Sequence, residues 1–360
     1  MKTKSKRLAN IELLRIIAMG MVIMLHYLGK GELLPNMNLA MGTKGYVVWI
    51  LESLAIVAVN VYVLISGYFL VEAEFKPGKI VKLILQVLFY TVLMTIISLA
   101  VGIIDVSELG IYNLIVQLFP FQLEQYWFMT SYLVLYILSP VLALGAKSLS
   151  KKTLQVVIIA FVLFMSVEKS ILPVQIVFDE RGYDALWFIC LFLAAAYMRL
   201  YGVKVLEKKA ICLVLYLGGC TMAFFENMAI SVVYEHTGEL AHLLDTPYHY
   251  NHIWVFVASV GLFSYFMKIK MKDGVLTKGV CAIAPYTLGV YLLHEHIYIK
   301  YLWPKWLLAG KVDSLIGFTL MTFIAVFVVF AIGVCVDYLR GLLFDLGSKY
   351  IYGKKTGNSI

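Results

Sequence analysis

Asn10-Ile11-Glu12-Leu13-Leu14-Arg15-Ile16-Ile17-Ala18-Met19-Gly20-Met21-Val22-Ile23-Met24-Leu25-His26 is an apolar run with two ionisable side chains, Arg15 and His26, eleven residues apart. On an α-helix that separation is three turns plus about 20°, with a rise of about 16 Å. Both side chains therefore leave the same helix face. Facing lipid, each would be costly, so this face is expected to line a polar slot inside a helix bundle, with Arg15 toward one membrane surface and His26 toward the other.

The rest of the chain repeats this apolar setting. Of its 360 residues 62% are hydrophobic and 14% charged, against about a quarter charged in soluble domains, and the mean hydropathy is +0.87. Ten apolar stretches follow one another: Ile11 to Leu28, Tyr46 to Val71, Ile80 to Ile104, Tyr126 to Leu144, Leu154 to Val167, Ala185 to Tyr201, Ala210 to Phe225, Tyr250 to Met267, Val280 to Ile299 and Leu315 to Tyr338. The expected fold is all-α, a polytopic membrane helix bundle of about ten transmembrane helices. Leaving out Arg15, lysines and arginines divide 22 to 7 between alternate connections, which puts the N-terminus and the C-terminus in the cytoplasm. The net charge of +8 thus reports topology; membrane lipids surround the chain, and no nucleic acid is expected as a partner. The basic N-terminal flank opens a retained first span, since no small-residue cleavage pattern follows Leu28.

Residues 1–345 are expected to form one integral membrane domain and 346–360 a cytoplasmic tail, polar and loose from Gly353. There is no internal repeat. The outer connections Asp105 to Gln125 and Glu226 to His249 are the longest, and Ile111 to Phe121 is a candidate interfacial helix. Five cysteines, Cys190, Cys212, Cys220, Cys281 and Cys335, fall in apolar stretches without CxxC spacing and read as small core residues.

Further polar residues recur at matching depths. The second stretch holds Glu52, Asn60, Ser66 and Tyr68; Asn60 falls near mid-span, where an interhelical hydrogen bond is its ordinary role. Phe75-Lys76-Pro77-Gly78-Lys79-Ile80-Val81-Lys82 sets three lysines around a helix start whose free amides also point outward. That arrangement suits phosphate, although positive-inside bias explains the same lysines. On the outer side stand Tyr126-Trp127-Phe128, Tyr248-His249-Tyr250-Asn251-His252 and His294-Glu295-His296, and all seven histidines lie on that half. His294 and His296 are about 200° apart on a helix, and no metal is expected. Pro140 and Pro285 are placed near span ends, where they disturb little.

With these residues assembled, the chain resembles the acyltransferase-3 family of integral membrane O-acyltransferases, most of all its exopolysaccharide-acyltransferase branch. The resemblance rests on Arg15 and His26 in the first span, Asn60 to Phe69 with its Ser66-Gly67-Tyr68-Phe69, Tyr126 to Pro140, Tyr250-Asn251, and Leu288 to His294. It implies acetyl-CoA or another acyl-CoA as donor, no metal, and a hydroxyl of a cell-surface polysaccharide or lipid-linked glycan as acceptor. It also implies a multi-pass protein of the bacterial plasma membrane. In such an enzyme His26 acts as general base or transient acyl carrier, and Arg15 holds the donor or its phosphate. Asn60, Ser66, Tyr126, Trp127 and Asn251 contact substrate, while His294 with Glu295 orients the acceptor or tunes His26. Lys76, Lys79 and Lys82 stand where many family members carry arginine; they attract CoA phosphates without the bidentate geometry. Two other readings compete: a secondary transporter or exporter of a small polar or glycan-related substrate, which calls for paired broken spans, and a non-catalytic membrane scaffold.

Overall fold

A computed structural model describes residues 8–121, 125–171 and 179–357, with side chains of the last helix described to residue 347. Among the described residues all regular structure is helical. Each of the ten apolar stretches forms a helix: α1 Ala9–Lys30, α2 Gly42–Leu70, α3 Gly78–Ala100, α4 Trp127–Ser148, α5 Lys151–Ile171, α6 Ala185–Tyr201, α7 Lys209–Thr237, α8 Ile253–Met267, α9 Val275–His294 and α10 Leu315–Gly357. Eight of them are long and apolar enough to cross a membrane, whereas α6 has 17 residues and α8 has 15. These two are interior helices: α6 buries Trp187, Phe188 and Phe192 completely, and α8 buries Ala258 and Phe263. A helix surrounded by protein does not need the full bilayer length, because its neighbours cover the backbone that lipid could not satisfy.

The first helix is the hub. It packs against both parts of α2, both parts of α9, α8 and α10. α10 lies along α1, with Val326 against Gly20, and near the end of α1 the Tyr27 hydroxyl donates to the Leu307 carbonyl (2.9 Å), just ahead of α10. With no hydrophobic force between helices in lipid, close packing depends on small residues. α7 and α8 meet through Gly219 and Gly261: a Cβ at Gly219 would lie 2.7 Å from the Trp254 carbonyl oxygen, and one at Gly261 would lie 2.6 Å from the Tyr216 nitrogen. α2 meets α6 at Gly67, whose added Cβ would stand 2.8 Å from the Phe192 Cα.

A buried carboxylate ties α3 to α10. Asp337, completely buried, accepts from Gln86 (3.0 Å) and Tyr90 (3.0 Å) of α3 and from the Arg340 guanidinium (2.6 and 3.1 Å) one turn along α10. Arg340 therefore belongs to an interior ion pair and not, as its place in the charge count implies, to a solvated cytoplasmic connection. Its burial is possible because the partner carboxylate is itself fully hydrogen-bonded. The short helix Ile111–Leu118 exposes Ile111, Tyr112, Leu114, Ile115 and Leu118, the pattern of a helix lying in the membrane surface.

Four sequence expectations change. Pro285 is not near a span end: α9 begins at Val275 and stops at His294, which puts the proline in a central 3-10 turn, Ala284–Tyr286, where its missing N–H interrupts the ladder. Pro140 likewise lies inside α4. The helical part of the C-terminus runs without a break from Leu315 to Gly357, so no change of structure marks residue 345, and residues 353–357 are helical. Cys335 is exposed and Cys281 half-buried, while the other three cysteines are core residues.

Replacing Gly261 by leucine drives a side chain into the α7 backbone. Overpacking of this kind costs about 1–3 kcal/mol, and Gly261→Leu is expected to lower the thermal unfolding midpoint of the detergent-purified protein, read by tryptophan fluorescence. Gly218→Leu on the open side of α7, where an added Cβ meets nothing within 4 Å, should leave the midpoint unchanged.

Candidate active site

The two charged positions on the first helix open onto one space. A cavity of about 300 Å³ is lined by Arg15, Met19, Val22, Leu25 and His26 of α1, by Val59, Tyr62 and Ser66 of α2, and by Leu83 of α3. The start of α4 contributes Trp127 and Phe128, and the broken middle of α9 contributes Pro285, Thr287 and Tyr291. The interruption in α9 lines this cavity at Ala284 and Pro285, and the one in α2, at residues 56 and 57, comes two residues before Val59 on its wall. Irregular backbone at membrane depth is tolerated where it is enclosed by protein or lines a cavity.

His26 is held by groups that reach it across 268 residues of sequence. His294, the last residue of α9, places Nδ1 2.6 Å from the Val290 carbonyl oxygen. A carbonyl only accepts, so that nitrogen carries the proton and the His294 Nε2 presents a lone pair. It does so at 2.9 Å from the His26 Nδ1, which also lies 3.1 Å from a Glu295 carboxylate oxygen. Both neighbours accept; the His26 Nδ1 must donate, and in the neutral ring Nε2 is then the free base. The Lys30 ammonium, one turn beyond His26, pairs with the same Glu295 oxygen. Two imidazoles, a carboxylate and an ammonium thus satisfy one another in a place where any one alone would be costly. A proton taken up at Nε2 would place the new positive charge beside the Glu295 carboxylate.

The same atoms bear on metal binding. Nδ1 of His26, Nε2 of His294 and a Glu295 oxygen lie within 4.8 Å of one another, close enough to share a cation. Lys30 already occupies the carboxylate, and its charge opposes a divalent ion there. Outside the spans, His249 stays neutral at physiological pH: burial, then the positive charges of Arg181 and Lys169, push its pKa down to about 4.

Arg15 donates from Nη1 to both oxygens of Glu12 (3.0 and 3.2 Å), a buried acid one turn earlier on α1, and the Tyr62 hydroxyl donates to the Arg15 carbonyl (2.6 Å). Among the residues named from sequence, Ser66 and Trp127 also line the cavity. His294 and Glu295 sit behind His26. Three others are wall-builders. Asn60, completely buried, donates to the Tyr250 carbonyl (2.7 Å) and accepts from the Trp187 indole (3.0 Å). Asn251, also completely buried, donates to the Met165 carbonyl (3.0 Å) and to Asp179 (2.8 Å). Tyr126 donates to the Leu292 carbonyl (2.9 Å) and so pins the start of α4 to α9. For these three the expected substrate contact gives way to interhelical hydrogen bonding.

Lys76, Lys79 and Lys82 are all exposed, and none of them lines the cavity. The amides expected to point outward at that helix start are partly taken: Lys79 N–H donates to the Lys76 carbonyl and Ile80 N–H to the Pro77 carbonyl, each at 2.9 Å. Sequence reasoning missed Lys30 and Glu12. The signal for each was its spacing, i+4 from His26 and i−3 from Arg15, which places them on the faces those residues occupy.

Fold and site together define a multi-pass membrane helix bundle with a polarised histidine open to an internal cavity. The model of the acyltransferase-3 family, described as an acyltransferase domain, matches residues 8–337, and the chain belongs to that family: it is a membrane acyltransferase. No curated protein and no solved structure matches it.

Asn60→Ala would strand the Trp187 indole and the Tyr250 carbonyl in the core. A buried group left without its partner costs about 1–3 kcal/mol. The expected result is a lower thermal midpoint in detergent, beyond that of Asn10→Ala at the partly exposed start of α1.

Proposed function

We propose that this acyltransferase moves an acetyl or other short acyl group from cytoplasmic acyl-CoA to a hydroxyl of an extracytoplasmic polysaccharide or lipid-linked glycan, in a bacterial plasma membrane. The observation that carries the reading is the shared cavity: Arg15 and His26, about 16 Å apart along α1, line one internal space. That space, about 300 Å³ and largely apolar, suits a short acyl group on the slender thioester arm better than a whole sugar.

The charged part of CoA cannot enter hydrocarbon cheaply. In this reading it stays on the inner side, with Arg15 drawing the donor in and Lys76, Lys79 and Lys82 giving a positive approach. The glycan hydroxyl arrives from the outer side at His26. Nε2 takes its proton while the oxygen attacks the thioester carbon; the carbon–sulfur bond then breaks, and the proton passes to the departing thiolate. Glu295 and His294 hold the ring through Nδ1 and leave Nε2 as the base, as an orienting acid does for a catalytic histidine. Trp127 and Ser66 line the path. Residues 1–345 act as one catalytic unit, with the family match ending at residue 337.

Transfer from labelled acetyl-CoA in inverted membrane vesicles tests this directly. His26→Ala is expected to abolish labelled glycan, and Glu295→Gln to lower kcat about 10²- to 10⁴-fold, the usual contribution of general acid–base groups. Arg15→Ala should act mainly by raising KM for acetyl-CoA. Labelling that persists in His26→Ala would sink the proposal, and substrate flux in proteoliposomes without CoA would return the transporter reading.

A further inference from the structure

Catalysis at His26 leaves one demand unmet. Attack on a thioester puts negative charge on the carbonyl oxygen, and an enzyme supplies donors aimed at that oxygen. Lys30 is committed to Glu295, and the Arg15 guanidinium lies about three turns of α1 away from His26. Neither serves.

Tyr291 does. It sits on α9 one turn before His294, its ring 6.2 Å from the His294 ring and perpendicular to it, and it lines the same cavity as His26. Tyr291 is 6% exposed, yet its hydroxyl has no hydrogen-bond partner among the described residues. Buried hydroxyls are nearly always paired, because an unpaired one costs about 1–3 kcal/mol. The contrast with its neighbours is plain: the Tyr126 hydroxyl, on a ring 5.9 Å away, donates to the Leu292 carbonyl, and the Tyr62 hydroxyl donates to the Arg15 carbonyl. The Phe128 amide, in the first turn of α4, approaches the Tyr291 hydroxyl without making a hydrogen bond of ordinary geometry, and Phe128 also lines the cavity. The first amides of a helix have no partner within it, and they carry the positive end of its dipole.

We propose that the Tyr291 hydroxyl, with the Phe128 amide beside it, is the oxyanion site of the transfer and donates to the acyl carbonyl oxygen as His26 takes the acceptor's proton. The assignment rests on the acyl-CoA reading given above. The carbonyl oxygen gains the electron pair as the acceptor oxygen bonds to carbon. It returns the pair as the carbon–sulfur bond breaks, and the thiolate leaves with the proton held by His26. Tyr291 keeps its own proton throughout and forms no bond to the acyl group. The hydroxyl has no partner in the resting protein because its partner is the substrate.

The test uses the full chain reconstituted in vesicles, with acetyl-CoA as donor and hydroxylamine as acceptor, a nucleophile that needs little help from a base. Tyr291→Phe removes one oxygen and keeps the ring. It is expected to lower kcat about 10²- to 10³-fold, the effect of removing one oxyanion donor elsewhere, with KM for acetyl-CoA within about twofold and an unchanged thermal midpoint. His26→Ala should be partly rescued by hydroxylamine, and Tyr291→Phe should not. An active wild type with a fully active Tyr291→Phe, or a Tyr291→Phe that loses only KM or stability, overturns this assignment alone. Acetyl on Tyr291, seen by mass spectrometry of the trapped enzyme, also overturns it by making the residue a carrier. A wild type that cannot use acetyl-CoA at all overturns both this assignment and the donor reading.

Discussion

Charge enclosed in an apolar bundle has to be answered by charge, and here the answer joins the two halves of the chain. Glu295 at the end of α9 meets Lys30 and His26 at the end of α1, and His294 completes the set. A lone carboxylate or ammonium in such a place costs several kcal/mol even after relaxation, so neither helix can slide along the other without exposing one. That constraint holds His26 in one orientation, fixes which nitrogen is free, and makes α1 the helix around which the others are arranged.

The remainder of the bundle maintains the same space. Asn60 binds α2 to α6 and to the segment before α8, Tyr126 binds the start of α4 to α9, and Asp337 gathers α3 and α10. Glycines bring backbones close where packing is tightest, and a gap remains along the face of α1 that carries Arg15 and His26. The interrupted helices are part of this design. α9 turns at Pro285, which lines the cavity, and α2 is interrupted at Ile56 and Val57, both buried, so neither break is turned toward lipid.

Helical periodicity is local, and what depends on it was readable. Arg15 and His26 share a face because eleven residues make three turns, and the ten apolar stretches became ten helices, most ends moved by a few residues but those of α7 and α10 carried 12 and 19 residues further. Errors arose where a residue's partner is remote. Lys30 was counted as a loop charge and Arg340 as a cytoplasmic one, since positive-inside counting cannot tell a solvated lysine from one paired with Glu295 or Asp337. Asn60 and Asn251 were polar residues in apolar surroundings, and nothing local distinguishes a substrate contact from a hydrogen bond to a carbonyl on another helix. Pro285 was misplaced for a related reason: hydropathy marks where a helix is apolar, and polar turns at either end lie outside that mark.

Composition and pattern in the chain alone therefore determined a membrane helix bundle, and showed that Arg15 and His26 share one face of its first helix. Only the tertiary structure decided that His26 is backed by His294 and Glu295, that Lys30 neutralises the acid, and that the hydroxyl of Tyr291, a residue of the cavity wall, is buried without a hydrogen-bond partner among the described residues. The first two relations join residues more than 260 positions apart, and no periodicity extends across that distance; they come into being when packing brings α1 and α9 together.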